Sequence, residues 1–250
     1  MIVKAYKTKL IIPGESLEEV IKQAIKAIPE NSIVTIVSKA FSFAENRLVE
    51  KTTGTTEEMH ELGKKEADYY LDASVSQYNL LLTIKANCMF FNAGVDQSNS
   101  QNQYTLWPMD PQKSINEIWK FLRSYYKVNN LGVIMTDSKT FPLSWGVVGH
   151  GVVYCGFNPL KDYRGTKDLH GREMFMERLS IVQSVATAAC LEMGEGNEQR
   201  PIAIVSDFQQ DIEFLDHEPT KEELDTLEVS LEDDAFGPMM NSVNWKKGGE

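Results

Sequence analysis

The sequence predicts a mixed α/β or α+β fold, because short β-branched runs alternate with segments whose apolar residues recur at helical spacing. Apolar runs at 32–37, 131–136 and 201–205 are typical of buried strands, and long polar connections separate them from the predicted helices. The chain has 250 residues, 42% hydrophobic and 24% charged. This length suits one large domain or two small ones.

The first half of the chain begins with a predicted helix. Ser16-Leu17-Glu18-Glu19 has the pattern of a capping box, and apolar residues then continue at helical spacing to Ile28, where Pro29 ends the segment. The strand at 32–37 follows. Residues 80–84 and 89–91 predict two paired strands joined around Lys85-Ala86-Asn87.

The second half contains two more predicted helices. A second capping-box pattern at 114–117 predicts a helix that is broken by residues 127–130, just before the strand at 131–136. The third predicted helix runs from Arg172 to about Leu191 and precedes the strand at 201–205. Helices and strands are therefore mixed along the whole chain, and we find no internal repeat.

The charge of the chain is concentrated at its C-terminal end. The formal net charge is −11, and residues 208–250 contain 12 acidic side chains against 3 lysines. The nearly neutral remainder lacks the basic surface of a nucleic-acid-binding protein, so we exclude that class. We predict a domain at 1–207 followed by an acidic arm at 208–250. The arm is either solvated or a partly ordered packing layer.

Cysteine usage and hydropathy predict the compartment. Cys88, Cys155 and Cys190 are odd in number and far apart, which favours a reducing compartment over a disulfide framework. There is no signal-like apolar start and no run of about 18 apolar residues. We therefore expect a cytoplasmic protein that does not associate with membranes.

The familiar nucleotide and zinc motifs are absent from the sequence. There is no GxxxxGK[ST] phosphate loop, no GxGxxG and no HExxH, and the four histidines are not at metal-binding spacing. If phosphates or metals bind, oxygen ligands must hold them, which favours Mg²⁺ or Mn²⁺.

Three polar segments are candidates for chemistry, each with a plainer structural alternative. Residues 92–99 crowd donors and acceptors after a strand, and they would otherwise form an Asx-rich turn. Asp137 and Ser138 follow a core strand, where a carboxylate and a hydroxyl suit a hydrated Mg²⁺; the alternative is a helix cap or turn acid. Glu195 lies between two glycines near the end of a predicted helix, where it would attract a cation, although a glycine there is ordinarily a C-cap.

A fourth segment is a charged run at 161–172. Arg164 or Arg172 in this run would clamp a carboxylate or phosphate, or the run is a surface loop with internal ion pairs.

Taken together, these segments resemble the coenzyme F420-0:L-glutamate ligase (gamma-glutamyl ligase) family. The matching stretches are NAGVDQSN at 92–99, GVIMTDS at 132–138, LKDYRGTKDLHGRE at 160–173 and AACLEMGEGN at 188–197. Weaker similarity covers 10–17 and 33–50, so the resemblance spans roughly 2–207 and leaves out the acidic arm.

The resemblance implies a homodimeric α+β enzyme with mixed sheets and packed helices and without a conventional phosphate loop. Such ligases use GTP and two divalent ions, Mg²⁺ or Mn²⁺, to convert a substrate carboxylate into an acyl phosphate that the amine of L-glutamate attacks. A potassium ion is a further cation that the resemblance allows.

The resemblance also assigns roles to individual residues. Asp96, Asp137 and Glu195 are implied as catalytic acids, with Asp96 and Asp137 holding one metal, and Ser138 and Glu195 the other. The implied nucleotide contacts are Ser38, Lys39, Asn99 and the loop from Met193 to Arg200, which includes Gly194, Gly196 and Asn197.

Departures from the family pattern leave the acceptor open. After Asp137-Ser138 the family usually continues with glycine and arginines, whereas residues 139–145 here read KTFPLSW. Phe43 stands where the family often has lysine, and Ser206-Asp207 stands where it tends to have Arg-Gly. One alternative is therefore a folate-type glutamate ligase with the same chemistry. The other is a catalytically inactive nucleotide-binding or scaffold protein.

Overall fold

The computed structural model describes residues 1–249, and they form a mixed α+β structure built on one five-stranded sheet and a smaller four-stranded sheet. The strands are β1 (Ile2–Tyr6), β2 (Ser32–Val37), β3 (Leu48–Glu50), β4 (Tyr69–Tyr70), β5 (Leu82–Lys85), β6 (Cys88–Phe91), β7 (Gln103–Thr105), β8 (Leu131–Thr140), β9 (Val147–Cys155), β10 (Leu160–Asp162), β11 (Arg178–Ser180), β12 (Ile202–Ser206) and β13 (Lys246–Lys247). The α-helices are α1 (Leu17–Ala24), α2 (Ser38–Ala44), α3 (Thr56–Glu66), α4 (Pro111–Tyr126), α5 (Ile181–Met193), α6 (Lys221–Asp225) and α7 (Gly237–Met240).

The five-stranded sheet has the order β1-β12-β2-β8-β9. β2 and β8 run parallel, with Ser32 opposite Leu131 and Val37 opposite Thr136, while the other neighbours in the sheet are antiparallel. Because β2 and β8 are parallel, the residues that follow each of them come together at one edge of the sheet.

Alternating residues of the central strands pack against helices on both faces of the sheet. Val34 and Ile36 of β2 face α1 and α4, whereas Ile33 faces α5. Near-continuous apolar strands are expected where both faces are covered, which is why 32–37 and 131–136 read as unbroken apolar runs.

The smaller sheet has the order β13-β4-β5-β6. Its β5–β6 hairpin turns through Ala86 and Asn87, which both have positive φ, at 49° and 55°. This arrangement confirms the predicted strand pair around Lys85-Ala86-Asn87, and it directs the chain that leaves β6 into the segment beginning at Asn92.

The predicted strands are confirmed, as are the start of α1 after Ser16 and the end of α4 before Lys127, but the other predicted helix ends differ from the structure. α1 stops at Ala24 instead of Ile28, because Ile25 is extended and reaches the core without helical geometry. α4 begins at Pro111: Asp110 caps it by accepting from the Lys113 backbone N–H, so the Ser114 capping-box pattern lies inside the helix.

The third predicted helix begins nine residues later than expected. α5 starts at Ile181, where the Ser180 hydroxyl accepts from the Gln183 backbone N–H. The residues before it include β11, which pairs with β10, and Met176 is 84% exposed rather than part of a buried helix face.

Elements that the sequence patterns did not predict complete the fold. The larger ones are β1, α2, α3 and β9. β9 pairs with β8 along almost its whole length and so fixes the position of the residues that follow the apolar part of β8.

The acidic arm lies against the rest of the molecule. Phe214 forms a bridge with Phe157, Glu218 accepts from Asn116, and β13 adds an edge strand to β4. The arm therefore forms a packing layer and not a solvated tail. The division into folding units at 207 and 208 stays a prediction.

Two further expectations concern the compartment. Within 1–249, no helix combines the length and the apolar character needed to cross a bilayer. Cys88, Cys155 and Cys190 are all free thiols.

Candidate functional site

The site begins where the parallel pairing of β2 and β8 ends. Val37 and Thr136 are the last residues that pair between these strands, and Ser38 and Asp137 follow them. The Ser38 hydroxyl donates to Asp137 Oδ2 at 3.2 Å. The strand register thus brings together two predicted site residues that are 99 positions apart in the chain.

Asp137 is held by three donors. Besides Ser38, the indole Nε1 of Trp107 donates to Oδ2 at 2.5 Å, and the Ser138 backbone N–H donates to Oδ1 at 2.7 Å. Burial, with a smaller effect from the negative charge of Asp96, nevertheless raises the pKa of Asp137 to about 6 against the effect of these hydrogen bonds. A cation that binds beside Asp137 would therefore stabilise the ionised form of this carboxyl group.

The segment 92–99 is folded tightly against Trp107. Asn92, Ala93 and Gly94 all have positive φ, which is costly for Ala93 because it carries a Cβ. At Gly94 a Cβ would lie 2.3 Å from the Trp107 Nε1 atom, so only glycine lets the indole reach Asp137. This explains the small residues at the start of the motif.

Asp96 lies in the same loop and faces Lys39. Its Oδ2 accepts from Lys39 Nζ at 2.5 Å, and its Oδ1 accepts from the backbone N–H groups of Gln97 and Ser98. Burial acts to raise the pKa of Asp96, but the Lys39 charge and the hydrogen bonds lower it below its ordinary value. Asp96 is therefore a stable carboxylate with an ammonium partner.

Glu195 reaches the site because α5 packs unusually close to β9. A Cβ on Gly149 would lie 2.3 Å from Cys190 Sγ, so the glycine lets the helix approach the sheet beside Ser138, with which Gly149 pairs. The Ser138 hydroxyl donates to Glu195 Oε2 at 2.6 Å. Gly196 lies in the loop that follows α5, and its carbonyl accepts a hydrogen bond from Asn99 Nδ2 at 3.0 Å.

The structure thus brings the predicted site segments to one edge of the central sheet. Hydrogen bonds connect them in sequence: Lys39 to Asp96, Ser38 to Asp137, Ser138 to Glu195, and Asn99 to Gly196. The exceptions are Met193, whose side chain is 2% exposed and packs in the core, Gly194, whose backbone N–H donates to the Cys190 carbonyl at the end of α5, and Asn197, whose exposed side chain makes no hydrogen bond to the other predicted residues within 1–249. The side chain of Met193 is therefore not available to a ligand.

The donor chemistry fits hard divalent ions bound together with phosphate. Across residues 1–249, no three His, Cys, Asp or Glu side chains are grouped so as to hold a metal by themselves. The predicted ligands fall in two pairs: the Ser138 hydroxyl donates to Glu195, and Asp96 is near enough to Asp137 for its negative charge to raise the Asp137 pKa. Mg²⁺ is commonly bound by one or two carboxylates with substrate phosphates and water as the remaining ligands, so such incomplete sets suit an ion carried by a nucleotide.

The charged run at 161–172 remains apart from this edge. Arg164 forms a bidentate pair with Asp162 within the run, and Arg172 is exposed. The alternative of a surface loop with an internal ion pair therefore describes it better than a substrate clamp.

Sequence reasoning missed Trp107. A buried tryptophan in the segment LWPMD has the pattern of an ordinary core residue, and the side chain is 2% exposed. Only the tertiary structure shows that its single polar atom is directed at Asp137.

Comparison with known proteins gives consistent matches over this part of the chain. A family model described as F420-0:Gamma-glutamyl ligase matches residues 5–207. A protein named Coenzyme F420:L-glutamate ligase from Methanopyrus kandleri is 29% identical over 216 residues, covering 80% of this chain and 84% of the relative. Its namesake from Methanococcus maripaludis is 32% identical over 182 residues, covering 68% and 72%. The Haloarcula marismortui protein of that name is 29% identical over 222 residues, covering 82% and 84%. The family match includes all the predicted site residues and ends where the arm begins.

Proposed function

The chain belongs to the F420-0:gamma-glutamyl ligase family, and from this membership we propose that it joins L-glutamate to the carboxylate of a coenzyme F420-0-like acid at the expense of GTP. The family confirms the prediction of an amide-bond-forming ligase. The nucleotide, the two divalent ions and the acyl phosphate route are the finer parts of the proposal.

One observation carries the proposal: the hydrogen-bonded series from Asp96 to Glu195 at the carboxyl edge of β2 and β8. It gathers three carboxylates and two serine hydroxyls from four distant segments beside a single lysine. This excess of negative charge favours cations, and cations at this edge would favour the phosphates of a nucleotide.

The residues present suit activation of a carboxylate by phosphoryl transfer. When bound, Mg²⁺ or Mn²⁺ would be held by Asp96 and Asp137 and by Ser138 and Glu195, and would neutralise the charge that develops on the transferred phosphoryl group. Lys39 places an ammonium beside Asp96, where it would also contact phosphate oxygens. Trp107 and Ser38 orient the Asp137 carboxylate, which stays fixed while the substrates react.

A direct assay tests the function. Purified protein is incubated with GTP, Mn²⁺, L-glutamate and coenzyme F420-0, and the acid is followed by mass spectrometry for the gain of one glutamate. We expect product with GTP and release of phosphate that depends on the acid. Absence of product with every nucleotide and acid tested would contradict the proposal. Phosphate release without any acceptor would instead favour the nucleotide-binding alternative.

A folate-type acceptor is the second candidate, and the connection between β8 and β9 favours it. Residues 139–146 contain no arginine, and Phe141, Leu143 and Trp145 are exposed by 52%, 108% and 92%. Such a tip suits an aromatic acid better than one that bears a phosphodiester. Replacing coenzyme F420-0 with dihydropteroate in the same assay distinguishes the two acceptors.

The same exposed side chains support a homodimer as part of the proposal. Three large apolar side chains at one hairpin tip are costly in water and are typical of a protein interface. We expect sedimentation of the wild-type protein as a dimer, and a shift towards monomer for Trp145→Ser. A wild-type monomer at micromolar concentration would contradict this part of the proposal.

A further inference from the structure

Lys139 is a partly buried cation without a counter-charge. Its Nζ lies 3.0 Å from Cys88 Sγ and 5.6 Å from the centre of the Phe90 ring. In the described part of the chain no carboxylate is within 4.0 Å of this ammonium group. An ammonium group that is partly removed from water and unpaired is unfavourable, so an anion bound there would stabilise it.

Lys139 lies on the same surface as the site carboxylate. Asp137 and Lys139 are two residues apart on β8, so their side chains are on one face, about 7 Å apart along the strand. Phe90 connects them, because its ring contacts Lys139 and packs edge-to-face on Trp107 with ring centres 5.0 Å apart. Trp107 in turn donates to Asp137.

Other cations near this surface already have partners. Lys39 pairs with Asp96, and Lys85 pairs with Glu66 at 2.7 Å. His150, at 3.2 Å from Cys88 Sγ, adds no charge, because burial and the nearby Lys139 lower its pKa to about 4. Lys139 is thus the cation near this surface that has no carboxylate partner within the described residues.

We propose that Lys139 binds the carboxylate of the acceptor acid, beside Asp137 on the same face of β8. This inference rests on the proposed ligase function and names a specificity-determining residue for it. The ammonium would hold the acceptor carboxylate within reach of the phosphoryl group positioned at Asp137. It would also supply the positive charge for which residues 139–145 contain no arginine.

Steady-state kinetics separate this role from a structural one. Lys139→Met is expected to raise the KM for the acceptor by about 10- to 100-fold, the effect of losing a charged hydrogen bond, with the KM for GTP unchanged. Lys139→Arg keeps the charge and should recover most of the affinity. Lys26→Met, at an exposed lysine beyond α1, is the matched control and should behave as the wild type.

Cys88 provides a readout that does not require turnover. It lies beside Lys139 and is partly exposed, while Cys155 and Cys190 are buried. A carboxylate held by Lys139 should slow alkylation of Cys88 by iodoacetamide. The ratio of alkylation rates with and without coenzyme F420-0, and separately with dihydropteroate, is measured by peptide mass spectrometry in the wild type and in Lys139→Met.

Each result decides the inference. Protection of Cys88 in the wild type by at least one of the two acids, lost in Lys139→Met, supports it, and the acid that protects identifies the acceptor class. Turnover without protection of Cys88 would contradict the role of Lys139, and so would an unchanged acceptor KM in Lys139→Met. Both results are compatible with the ligase function. Protection without glutamylation leaves the carboxylate site standing and overturns the ligase function.

Discussion

Trp107 donates its indole N–H to Asp137 across 2.5 Å, which connects a core side chain to a carboxylate at the edge of the central sheet. The indole is 2% exposed and leaves no room for a side chain at Gly94. The loop that carries Asp96 and the strand that carries Asp137 are therefore positioned by the same residue. This contact makes the site a rigid arrangement and not a meeting of flexible loops.

Trp107→Phe is expected to lower kcat/KM by about 10- to 100-fold, because a hydrogen bond to the charged form of Asp137 is lost. That hydrogen bond lowers the pKa of Asp137, so its removal should raise the pKa and move the acidic limb of the kcat/KM profile upwards by about one pH unit. Trp119→Phe, which loses a donor to the Leu131 carbonyl in the core, is the control and should not move the limb. An unshifted profile in Trp107→Phe would contradict the role of this contact.

Asp137→Asn should abolish turnover and remove one source of pH dependence from the stability of the ligand-free protein. The folded-state pKa of about 6 lies above the ordinary value of 3.8, so the native state holds this proton more tightly than the unfolded state. Wild-type stability is then lost as the pH rises through this interval, by about 1 to 3 kcal/mol at pH 7, and the asparagine variant lacks this pH-dependent loss.

Chemical denaturation between pH 4 and 7 measures the free energy of unfolding of both proteins. The stability of the variant relative to the wild type should decrease as the pH falls. Asp211→Asn, at an exposed position in the arm, is the control and should show no such trend. Equal pH trends of stability in Asp137→Asn and in the wild type would contradict the raised pKa of Asp137.

Glu195→Gln should reduce turnover by about 100-fold or more without changing the melting temperature. Glu195 is exposed and is held by Ser138, so its charge has no part in the core. Glu192→Gln, three residues earlier and also exposed, provides the matched change of one charge. Equal activities of the two variants would show that Glu195 has no role in the site.

The docking of the arm is tested at Gly248. A Cβ at this position would lie 2.2 Å from the Ala67 carbonyl and 2.7 Å from the Lys64 carbonyl, both of which are backbone atoms. Gly248→Ala should therefore displace β13 from β4 and cost about 1 to 3 kcal/mol of stability. Proteolysis of the arm should accelerate in this variant and stay unchanged in Lys247→Ala. Equal protease resistance would show that the arm is not bound at this edge.

The parts of the fold that depend on local periodicity were predictable from the sequence. The runs at 32–37 and 131–136 became β2 and β8, and the pairing of these strands then determined where Ser38 and Asp137 would meet. Helix ends were less predictable because several residues compete for each cap. Asp110 before Pro111 prevails over Ser114, since proline suits the first turn and cannot occupy the interior.

Features that depend on tertiary contact were not readable from the pattern. Gly149 and Gly151 interrupt the alternation of side chains along β9. The reason for these glycines is that α5 packs directly against them, which the sequence pattern does not show. Trp107 carries no sign of its hydrogen bond to Asp137. The segment resemblance identified which acids to consider, but the proximity of Ser138 to Glu195 requires the helix approach that Gly149 permits.

The proposed metal sites are tested most directly by a crystal structure of the protein with Mn²⁺ and a non-hydrolysable GTP analogue. Anomalous scattering would locate the metal. We expect two manganese peaks, one held by Asp96 and Asp137 and the other by Ser138 and Glu195. The triphosphate should lie between these ions and Lys39. Manganese and nucleotide bound away from this edge of the sheet would contradict this prediction.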